Sequence, residues 1–463
     1  MHTVVSVALV AGYVVGLIVV AARARTAREY AEFSIARRTL PLALIFGSLC
    51  ATYVGPAFSI GFVGRGYRSG FFFLLIGLAY SLQNVLVGLL IAPKLRELKD
   101  CYTLGDAIGQ KYGPRCQILA GLISVLLCTL FSAVMISAGA VVLNDVFGLP
   151  PRFSVAVVAI VTASYTAFGG LRASVITDAY HFALFALLLP GVLLYELLFH
   201  FQGGATAFWQ QAMDATAHGL QATPPLEIVG FVTAFLLGET LIPPYANLAL
   251  ASRTTVVSRN GFILAGVFSA LWFAVMISLG VVAQTVVPAD TGEDYVLLTL
   301  VKATMPDAAY ALLLVSLVSI VLSSLDSLLN AGAVVFTQDI LRRFTVRQDS
   351  AALLAGRYST VMIATIAAGM ALFVPSVIKG LLVCYNIWAP AILPALFLGL
   401  WIRHPRPLAG ILSMTVGTAV AILLQLETFV KTEVGSILPA LVCSLAAYAV
   451  GHFAHGLLRR PNR

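Results

Sequence analysis

The chain of 463 residues is 60% hydrophobic and only 10% charged, with a formal net charge of +8. Soluble domains average roughly 45–50% apolar and about 25% charged residues, so this composition excludes an ordinary soluble protein. The six cysteines show neither metal-ligand spacing nor a disulfide framework, and basic loops beside anionic lipid account for the positive charge without any nucleic acid.

Thirteen apolar blocks follow one another along the chain. Each is about long enough to cross a hydrocarbon layer of ~30 Å as a helix of roughly 20 residues. The blocks span residues 3–22, 40–63, 70–93, 117–144, 153–168, 174–198, 227–250, 261–285, 308–338, 354–374, 377–401, 407–425 and 435–456. Blocks of this length and continuity are typical of helices and not of the short alternating strands of a barrel. The sequence therefore predicts an all-α membrane protein with 13 transmembrane helices.

The basic residues between the blocks indicate an orientation. With the N-terminus outside, the outward segments hold only six of the 28 Lys and Arg residues: Arg65, Arg68, Arg152, Lys302, Lys379 and Lys431. Lys and Arg are enriched in cytoplasmic loops. We therefore predict a multi-pass protein of the plasma membrane or bacterial inner membrane, with its N-terminus outside and its C-terminus in the cytoplasm.

The segments between the blocks leave no room for a soluble catalytic domain. The longest outer loop spans about 202–226, and the longest inner one spans about 94–116. The inner loop contains TLGDAIGQKYG, which predicts a short amphipathic helix at the surface. We expect the protein to act within the membrane and not to be an enzyme.

Two of the blocks are interrupted near their middle. The second contains Gly55 and Pro56, and the seventh contains Pro243 and Pro244. Proline lacks a backbone donor and glycine is conformationally loose, so both helices are predicted to break. Because the interruptions are five blocks apart, two groups of five would run with opposite topology, which is typical of secondary transporters that bind their solute at the breaks. The alternative is a pair of proline kinks that only bend their helices.

Polar residues deep in the ninth block favour a cation site. Asp326 lies about twelve residues, or roughly 18 Å, from the cytoplasmic end of this helix. Ser323, Asp326 and Ser327 share one helical face, and Ser324 flanks it. Oxygen ligands on one stripe suit a small hard cation. The alternative is that these hydroxyls only link neighbouring helices.

Two further acidic residues lie inside predicted spans. Glu239 lies three residues before Ile242 and the double proline, at a depth where an acid is a functional candidate. The competing interpretation is a protonated glutamate that ties the broken helix to a neighbour. Asp178 lies a turn or two inside the sixth block, where pairing with Arg172 is the competing explanation.

Several segments resemble the sodium:solute symporter family over nearly the whole chain. They are FSIARRTLP, LCATYVGPAF, APKLRELKDCYTLGDAIGQKYG, TAFGGLRASVITD and VLSSLDSLLNAGAVVFTQDI. The resemblance implies a five-plus-five inverted-repeat transporter core with one extra helix before it and two after it. The implied parts are an extra N-terminal helix at 1–25, the first repeat at 40–200, the second repeat at 227–401 and two peripheral helices at 406–457.

The resemblance also implies sodium ligands, because members of this family hold a sodium ion between the first and eighth core helices. The corresponding positions are the main-chain carbonyls of Ala51, Val54 and Ile320 and the hydroxyls of Ser323 and Ser324. Some members hold a second sodium, at positions that correspond to Asp178, Asp326 and Ser327. An aspartate among these positions departs from that pattern, so the sequence leaves a second ion open. Sodium is the one cofactor expected, with no organic cofactor.

The resemblance places a solute pocket on several core helices. Its positions are Tyr53, Gly55, Phe58, Tyr80, Gln83, Phe131, Glu239, Tyr245, Tyr385, Asn386 and Trp388. Tyr53, Tyr80 and Phe131 fall near aromatic positions of the choline transporters, so a quaternary amine fits by cation–π contact. A carboxylate-bearing metabolite fits equally well, because broken-helix N-termini offer a positive end. The aromatic residues are also explained by packing alone.

These features predict a sodium-coupled secondary active transporter that imports a small organic solute across the lipid bilayer by alternating access. One alternative is a proton-coupled symporter of the same fold that uses Glu239 or Asp326. The alternative of another class is a transporter-like solute sensor that acts with a signalling partner. The sequence gives no sign of an obligatory protein partner.

Overall fold

The computed structural model describes residues 2–23, 27–345, 348–374, 376–428 and 437–458. Across these ranges the chain is helical, and β-type pairing is limited to one isolated parallel bridge between Leu40 and Ser252. Eight of the described helices are long and apolar enough to cross a membrane, or up to ten if each of two bent helix pairs is one span. The predicted all-α membrane class is confirmed.

Within the described ranges, twenty helices, α1 to α20, follow one another in chain order. They are His2–Arg23, Tyr30–Ile35, Leu42–Tyr53, Phe62–Ser69, Phe72–Leu90, Ala92–Glu97, Leu104–Tyr112, Pro114–Phe147, Pro151–Phe199, Gly204–Ala222, Pro225–Leu237, Pro243–Ala251, Thr255–Ala283, Val296–Thr304, Asp307–Val335, Arg342–Phe344, Asp349–Ala371, Val377–Trp401, Pro407–Thr428 and Ile437–Leu458. Two π-helical stretches, Ala57–Gly61 and Phe336–Leu341, lead into α4 and follow α15.

The long helix α9 contains two of the predicted spans. The blocks 153–168 and 174–198 meet at Gly170, where φ is 63° and ψ is −173°. A residue with a Cβ rarely adopts this positive φ, and a Cβ at this position would lie 2.8 Å from the Cα of Phe33. The connection between the two spans is therefore a one-residue break that only glycine fits.

Both of the long predicted loops contain a helix. In the inner one, α7 forms as predicted, and the Thr103 hydroxyl accepts a hydrogen bond from the Asp106 amide at 2.9 Å as its N-cap. This helix is largely buried against α8 and does not lie on the surface. In the segment 202–226, treated as a loop in the sequence, α10 forms and meets α11 at a bend of 106°.

The centre of the described bundle is α15, which is buried along nearly its whole length. It packs against α1, α3, α8, α9, α12 and α17. Small and hydroxylated side chains on α15 allow these helices to approach closely, as is usual where helices pack within a membrane. The polar residues Ser323, Asp326 and Asn330 are therefore fully buried.

Polar contacts tie the helices together at both ends of the bundle. At one end Arg68 donates hydrogen bonds to the carbonyls of Ala289 and Thr291, each at 2.9 Å. At the opposite end Arg96 donates to the carbonyl of Ser252 at 2.5 Å, and the Leu40 amide donates to the Ala251 carbonyl at 3.1 Å. These contacts link segments that are far apart in the sequence at both ends of the bundle.

A second buried polar cluster lies beside the π-helical end of α15. Gln117 donates to Asp106 at 2.6 Å and to Asp339 at 2.9 Å, and Thr103 donates to Asp339 at 2.7 Å. Burial raises the pKa of Asp106 above its usual range. These contacts join α7, α8 and the end of α15 into one unit, which anchors the helix that carries Ser323 and Ser324.

Candidate functional site

The first helix break lies between α3 and the π-helical stretch Ala57–Gly61. Val54 has a non-helical conformation (φ −96°, ψ 37°), and the two halves are bent by 60°. Since Pro56 has no N–H, the carbonyl of Thr52 loses its helical partner. The Val54 carbonyl accepts a hydrogen bond from the Ser59 hydroxyl at 2.7 Å. Main-chain oxygens thus lie free of the regular helical pattern in the interior of the bundle.

The hydroxyls of α15 face this break. Ser323 donates to the Ala51 carbonyl at 3.1 Å and to the Ile320 carbonyl at 3.0 Å. The buried hydroxyl of Ser324 has no hydrogen-bond partner, and it would lie 2.8 Å from a Cβ at Gly55. The predicted ligands on α15 therefore lie against the predicted ligands of the break. An unpartnered buried hydroxyl beside main-chain oxygens fits a cation with oxygen ligands.

The residues of the second predicted cation position also lie together. Ser327 donates to Asp178 at 3.4 Å, and Ser48 of α3 donates to the same carboxylate oxygen at 2.5 Å. Ser174 donates to Asp326 at 3.0 Å and lies 3.4 Å from the Ser327 hydroxyl. Oxygen groups from α3, α9 and α15 thus converge on two fully buried carboxylates.

Several members of this cluster were absent from the predicted set. Ser48, Ser174 and Thr177 all contact its carboxylates, with Thr177 lying 3.4 Å from Asp326. The i, i+3, i+4 spacing of Ser174, Thr177 and Asp178 was a usable signal, because it puts all three on one face of α9. The proposed pairing of Asp178 with Arg172 does not form, since the arginine side chain is exposed and the aspartate is buried.

The second helix break spans residues 238–242, between α11 and α12. Leu241 has a left-handed conformation with φ of 50°. The break places the Glu239 side chain inside the bundle, where it is 5% exposed. Tyr245 donates to one carboxylate oxygen at 2.6 Å, and Tyr385 of α18 donates to the other. A carboxylate is therefore held between the two halves of the broken helix and α18.

Neighbouring contacts fix the same break to other helices. The Gln83 amide lies 2.8 Å from the Thr240 hydroxyl, and the Trp388 indole donates to the Thr240 carbonyl at 2.9 Å. Asn386, which was also placed in the pocket, points elsewhere and donates to Gln425 of α19 at 3.1 Å. Gln83 and Trp388 thus support the break, whereas Asn386 joins two helices outside it.

Aromatic residues of the predicted pocket pack on one another beside the two breaks. Tyr53 lies edge-on to Tyr245 with ring centroids 4.2 Å apart and to Tyr80 at 5.9 Å. Phe58 lies against Tyr80 at 4.4 Å. The Tyr80 and Tyr245 hydroxyls are 3.4 Å apart, and the Tyr53 hydroxyl has no partner. The rings therefore bring several phenol groups close to Glu239.

A small cavity of about 20 Å³ lies between the two breaks, α8 and α15. It is lined by Thr52, Gly55, Ala57, Phe58, Phe131, Met135, Glu239, Ile242, Ser324, Leu328 and Leu381. This space is large enough for a water molecule or a small ion, whereas sites for organic ligands measure roughly 300–1,000 Å³. The cavity joins a predicted sodium ligand, Ser324, to the predicted solute residues Gly55, Phe58, Phe131 and Glu239.

Comparisons with known proteins find similarity to sodium-coupled transporters. The sodium/pantothenate symporter of Escherichia coli (strain K12) is 25% identical over 455 residues, which cover 95% of this chain and 94% of that protein. A putative sodium-dependent multivitamin transporter of Drosophila melanogaster is 28% identical over 39% of this chain, and the match covers only 29% of that longer protein. A solved structure of a Na⁺-coupled sialic acid symporter in a substrate-bound outward-open state has the same fold, with a TM-score of 0.83, 15% identity and 99% of each chain covered.

A family-wide comparison decides the assignment. The model of the sodium:solute symporter family matches residues 33–417, which include both helix breaks and every predicted ligand on α15. Members of this family are membrane transporters, and the apolar helices of this chain are consistent with that role. The chain belongs to the sodium:solute symporter family.

Proposed function

We propose that this protein is a sodium-coupled symporter that imports a small organic solute by alternating access. The observation that carries the proposal is the first break, where Ser323 contacts the carbonyls of Ala51 and Ile320 and the Ser324 hydroxyl has no protein partner. Sodium takes the oxygens of Ala51, Val54, Ile320, Ser323 and Ser324 as ligands. Because these oxygens belong to two helices, the ion links α3 to α15 and stabilises their approach.

A second cation is proposed at Asp178, Asp326 and Ser327. Ser48, Ser174 and Thr177 complete an oxygen-rich shell around the two carboxylates. Two buried carboxylates so close together repel each other, and a bound cation relieves that repulsion. The alternative is that Asp326 or Glu239 binds the coupling proton instead, and the test below separates these two possibilities.

The proposed membrane layout has 13 spans with the N-terminus outside and the C-terminus in the cytoplasm. The extra helix is assigned to 1–25, the two inverted repeats to 40–200 and 227–401, and the peripheral pair to 406–457. Within these bounds, residues 1, 24–25, 346–347, 375 and 429–436 lie outside the described part of the chain. The break at Gly170 supports this layout, because it divides α9 into two spans and brings the first repeat to five. The breaks at 54–56 and 238–242 then fall in the first helix of each repeat.

The proposed solute site lies between the two breaks, against Tyr53, Phe58, Phe131 and Glu239. Since the cavity measures only about 20 Å³, it has to enlarge before it admits an organic solute. We propose that the polar contacts of Arg68 at one end of the bundle and of Arg96 at the other break in turn during the cycle. Opening one end at a time gives alternating access, with helices moving about the breaks.

The membrane potential is sufficient to drive the proposed transport. One cation that moves down 100 mV releases about 2.3 kcal/mol. That free energy supports a solute gradient of about fifty-fold before any sodium gradient is added.

Reconstituted protein provides the test of this proposal. Proteoliposomes would receive a mixed pool of small metabolites under an inward sodium gradient or a matched potassium gradient, and the accumulated compounds would be identified by mass spectrometry. We expect accumulation with sodium only, and a large loss in Ser324→Ala. The control variant is Thr365→Ala, whose exposed hydroxyl bonds only to a carbonyl of its own helix.

Other outcomes would redirect the proposal. Equal accumulation in potassium that follows a pH gradient would transfer the coupling to protons. Solute binding without accumulation under any gradient would favour a sensor that acts with a signalling partner.

A further inference from the structure

Two tyrosine hydroxyls hold the carboxyl group of Glu239. Tyr245 donates to one carboxylate oxygen and Tyr385 donates to the other. A protonated carboxyl group carries one O–H donor, whereas an ionised carboxylate only accepts. An ionised carboxylate can accept both of these hydrogen bonds, one on each oxygen, and it is this form that pairs with a cationic ligand. Each of its oxygens has a further lone pair, so the group can accept additional hydrogen bonds from a bound molecule.

The described residues that line the cavity beside Glu239 include no basic side chain. Among the eleven residues that line the cavity there is no Lys, Arg or His. The walls are formed mainly by aliphatic and aromatic side chains such as Phe58, Phe131 and Leu328, with hydroxyls only at Thr52 and Ser324. A buried carboxylate without a positive partner is costly, and hydrogen bonds from neutral phenols only partly offset that cost. A cationic ligand in this cavity would supply the positive charge that the cavity lining lacks.

The proposed sodium ligands do not include Glu239. They belong to the first break and α15, whereas Glu239 belongs to the second break and is held by Tyr245 and Tyr385 of α12 and α18. Glu239 nevertheless lines the same cavity as Ser324. The positive group that pairs with Glu239 is therefore located where the solute binds.

We propose that the transported solute carries a protonated primary or secondary amine, which donates hydrogen bonds to the Glu239 carboxylate while its carbon skeleton lies against Phe58 and Phe131. This inference rests on the proposed transport function and names the chemical class of its solute.

The same geometry discriminates against the two solute classes left open by the sequence. A carboxylate-bearing solute without an amine would lie next to Glu239 with like charge and no basic residue in the cavity wall. A quaternary ammonium group has the right charge but no N–H, so it cannot satisfy the free lone pairs of Glu239. A neutral alcohol donates a hydrogen bond but leaves the carboxylate charge unpaired. Charge-assisted hydrogen bonds are about twice as strong as neutral ones, which favours the amine.

Matched small probes test this inference on the purified full-length protein. Butylamine, 1-butanol and butyrate share one carbon skeleton, and tetramethylammonium represents the quaternary class. Each probe is added in sodium chloride or potassium chloride, and the shift of the melting temperature is measured, because a ligand that binds only the folded state raises it. We expect butylamine in sodium to give the largest shift, with at least about tenfold tighter binding than the other three probes.

Variants at the carboxylate sharpen the test. Glu239→Gln keeps the shape but removes the charge, and we expect it to weaken butylamine binding at least about tenfold while sodium still stabilises the protein. Tyr385→Phe removes one donor and is expected to have a smaller effect. The matched control is Glu196→Gln, which changes another buried glutamate whose partner is Thr304, outside the cavity. It should bind butylamine like the wild type.

The outcomes separate this inference from the proposed function. If sodium stabilises the wild type but butylamine does not, or if Glu239→Gln binds butylamine as tightly as the wild type, the amine assignment is overturned. If sodium itself gives no more stabilisation than potassium, the sodium-coupled function fails instead. If butyrate or 1-butanol gives the largest shift, the amine is replaced by that class.

Discussion

The two helix breaks differ in what they offer to a ligand. The first, around Gly55 and Pro56, exposes main-chain oxygens to the hydroxyls of Ser323 and Ser324. The second, at residues 238–242, presents the carboxylate side chain of Glu239, which two tyrosines hold in place. Neutral oxygens suit a small inorganic cation, whereas a carboxylate among aromatic rings suits an organic one. Corresponding interruptions in the two groups of helices therefore serve different parts of one proposed transport cycle.

The local chemistry of each break explains this difference. Pro56 lies inside the first interruption and removes a donor there. In the second, Pro243 is the first residue of α12, where its missing N–H would be unpaired in any helix. The second break is instead formed by the turn before the prolines, with Leu241 in a left-handed conformation. Four substitutions test this contrast, from the largest expected effect to the smallest.

Gly55→Ala should have the largest effect of the four, and we expect it to weaken sodium binding. The added Cβ would lie 2.8 Å from the Ser324 hydroxyl, so that hydroxyl has to turn away from the break. Overpacking of this kind costs about 1–3 kcal/mol, which raises the half-saturating sodium concentration by roughly ten- to a hundredfold. The half-saturating sodium concentration is measured from the rise of the melting temperature with sodium. Gly369→Ala, where a Cβ meets nothing within 4 Å, is the control. Equal sodium affinity in both variants would contradict the packing at the first break.

Ser323→Ala removes the hydroxyl that lies on the carbonyls of Ala51 and Ile320. Losing one oxygen ligand should weaken sodium binding by about tenfold, which corresponds to about 1.4 kcal/mol. The sodium concentration dependence of transport measures this change. Ser316→Ala removes another buried hydroxyl from the same helix, away from the break, and should leave the dependence unaltered. If the two variants behave alike, Ser323 is not a ligand.

Trp388→Phe tests the second break without changing its charge. It deletes the indole donor to the Thr240 carbonyl, a hydrogen bond worth about 1 kcal/mol. We expect a three- to fivefold rise in the half-saturating solute concentration, with sodium affinity unchanged. Uptake kinetics in proteoliposomes separate the two parameters. Trp209→Phe, at an exposed tryptophan of α10, is the matched control. A change in sodium affinity alone would place Trp388 with the first break.

Pro243→Ala should have the smallest effect. Because this proline starts α12 and does not interrupt it, an alanine adopts the same conformation with no bond lost. We expect less than about a twofold change in solute and sodium affinities. A change of tenfold or more in either affinity would show that the proline itself maintains the second break.

The positions of most long helices and of the first break could be predicted, because both depend on local sequence. An apolar block predicts a spanning helix, and the pair Gly55–Pro56 interrupts a helix, through effects on nearby residues alone. The second break was predicted only approximately. Its prolines were assigned to the interruption itself, whereas the turn begins at Gly238, before them.

Contacts between helices were harder to predict from the sequence, because they depend on how each helix is rotated about its axis. Successive helical residues point roughly 100° apart, so Tyr385 can face Glu239 while the adjacent Asn386 faces Gln425. For the same reason Ser48 could not be assigned to Asp178 from sequence, since the two lie on different helices. The helix α10 was not predicted, because apolar and polar residues are mixed along it and no long hydrophobic run marks it.

Direct binding of radioactive ²²Na⁺ to purified protein tests the central claim, that sodium is held where the first break meets α15. For the wild type we predict saturable binding that unlabelled sodium displaces and potassium does not. In the double variant Ser323→Ala with Ser324→Ala, this binding should be lost or reduced to the component held by Asp178 and Asp326. Sodium binding in the double variant with unchanged affinity and stoichiometry would contradict the account.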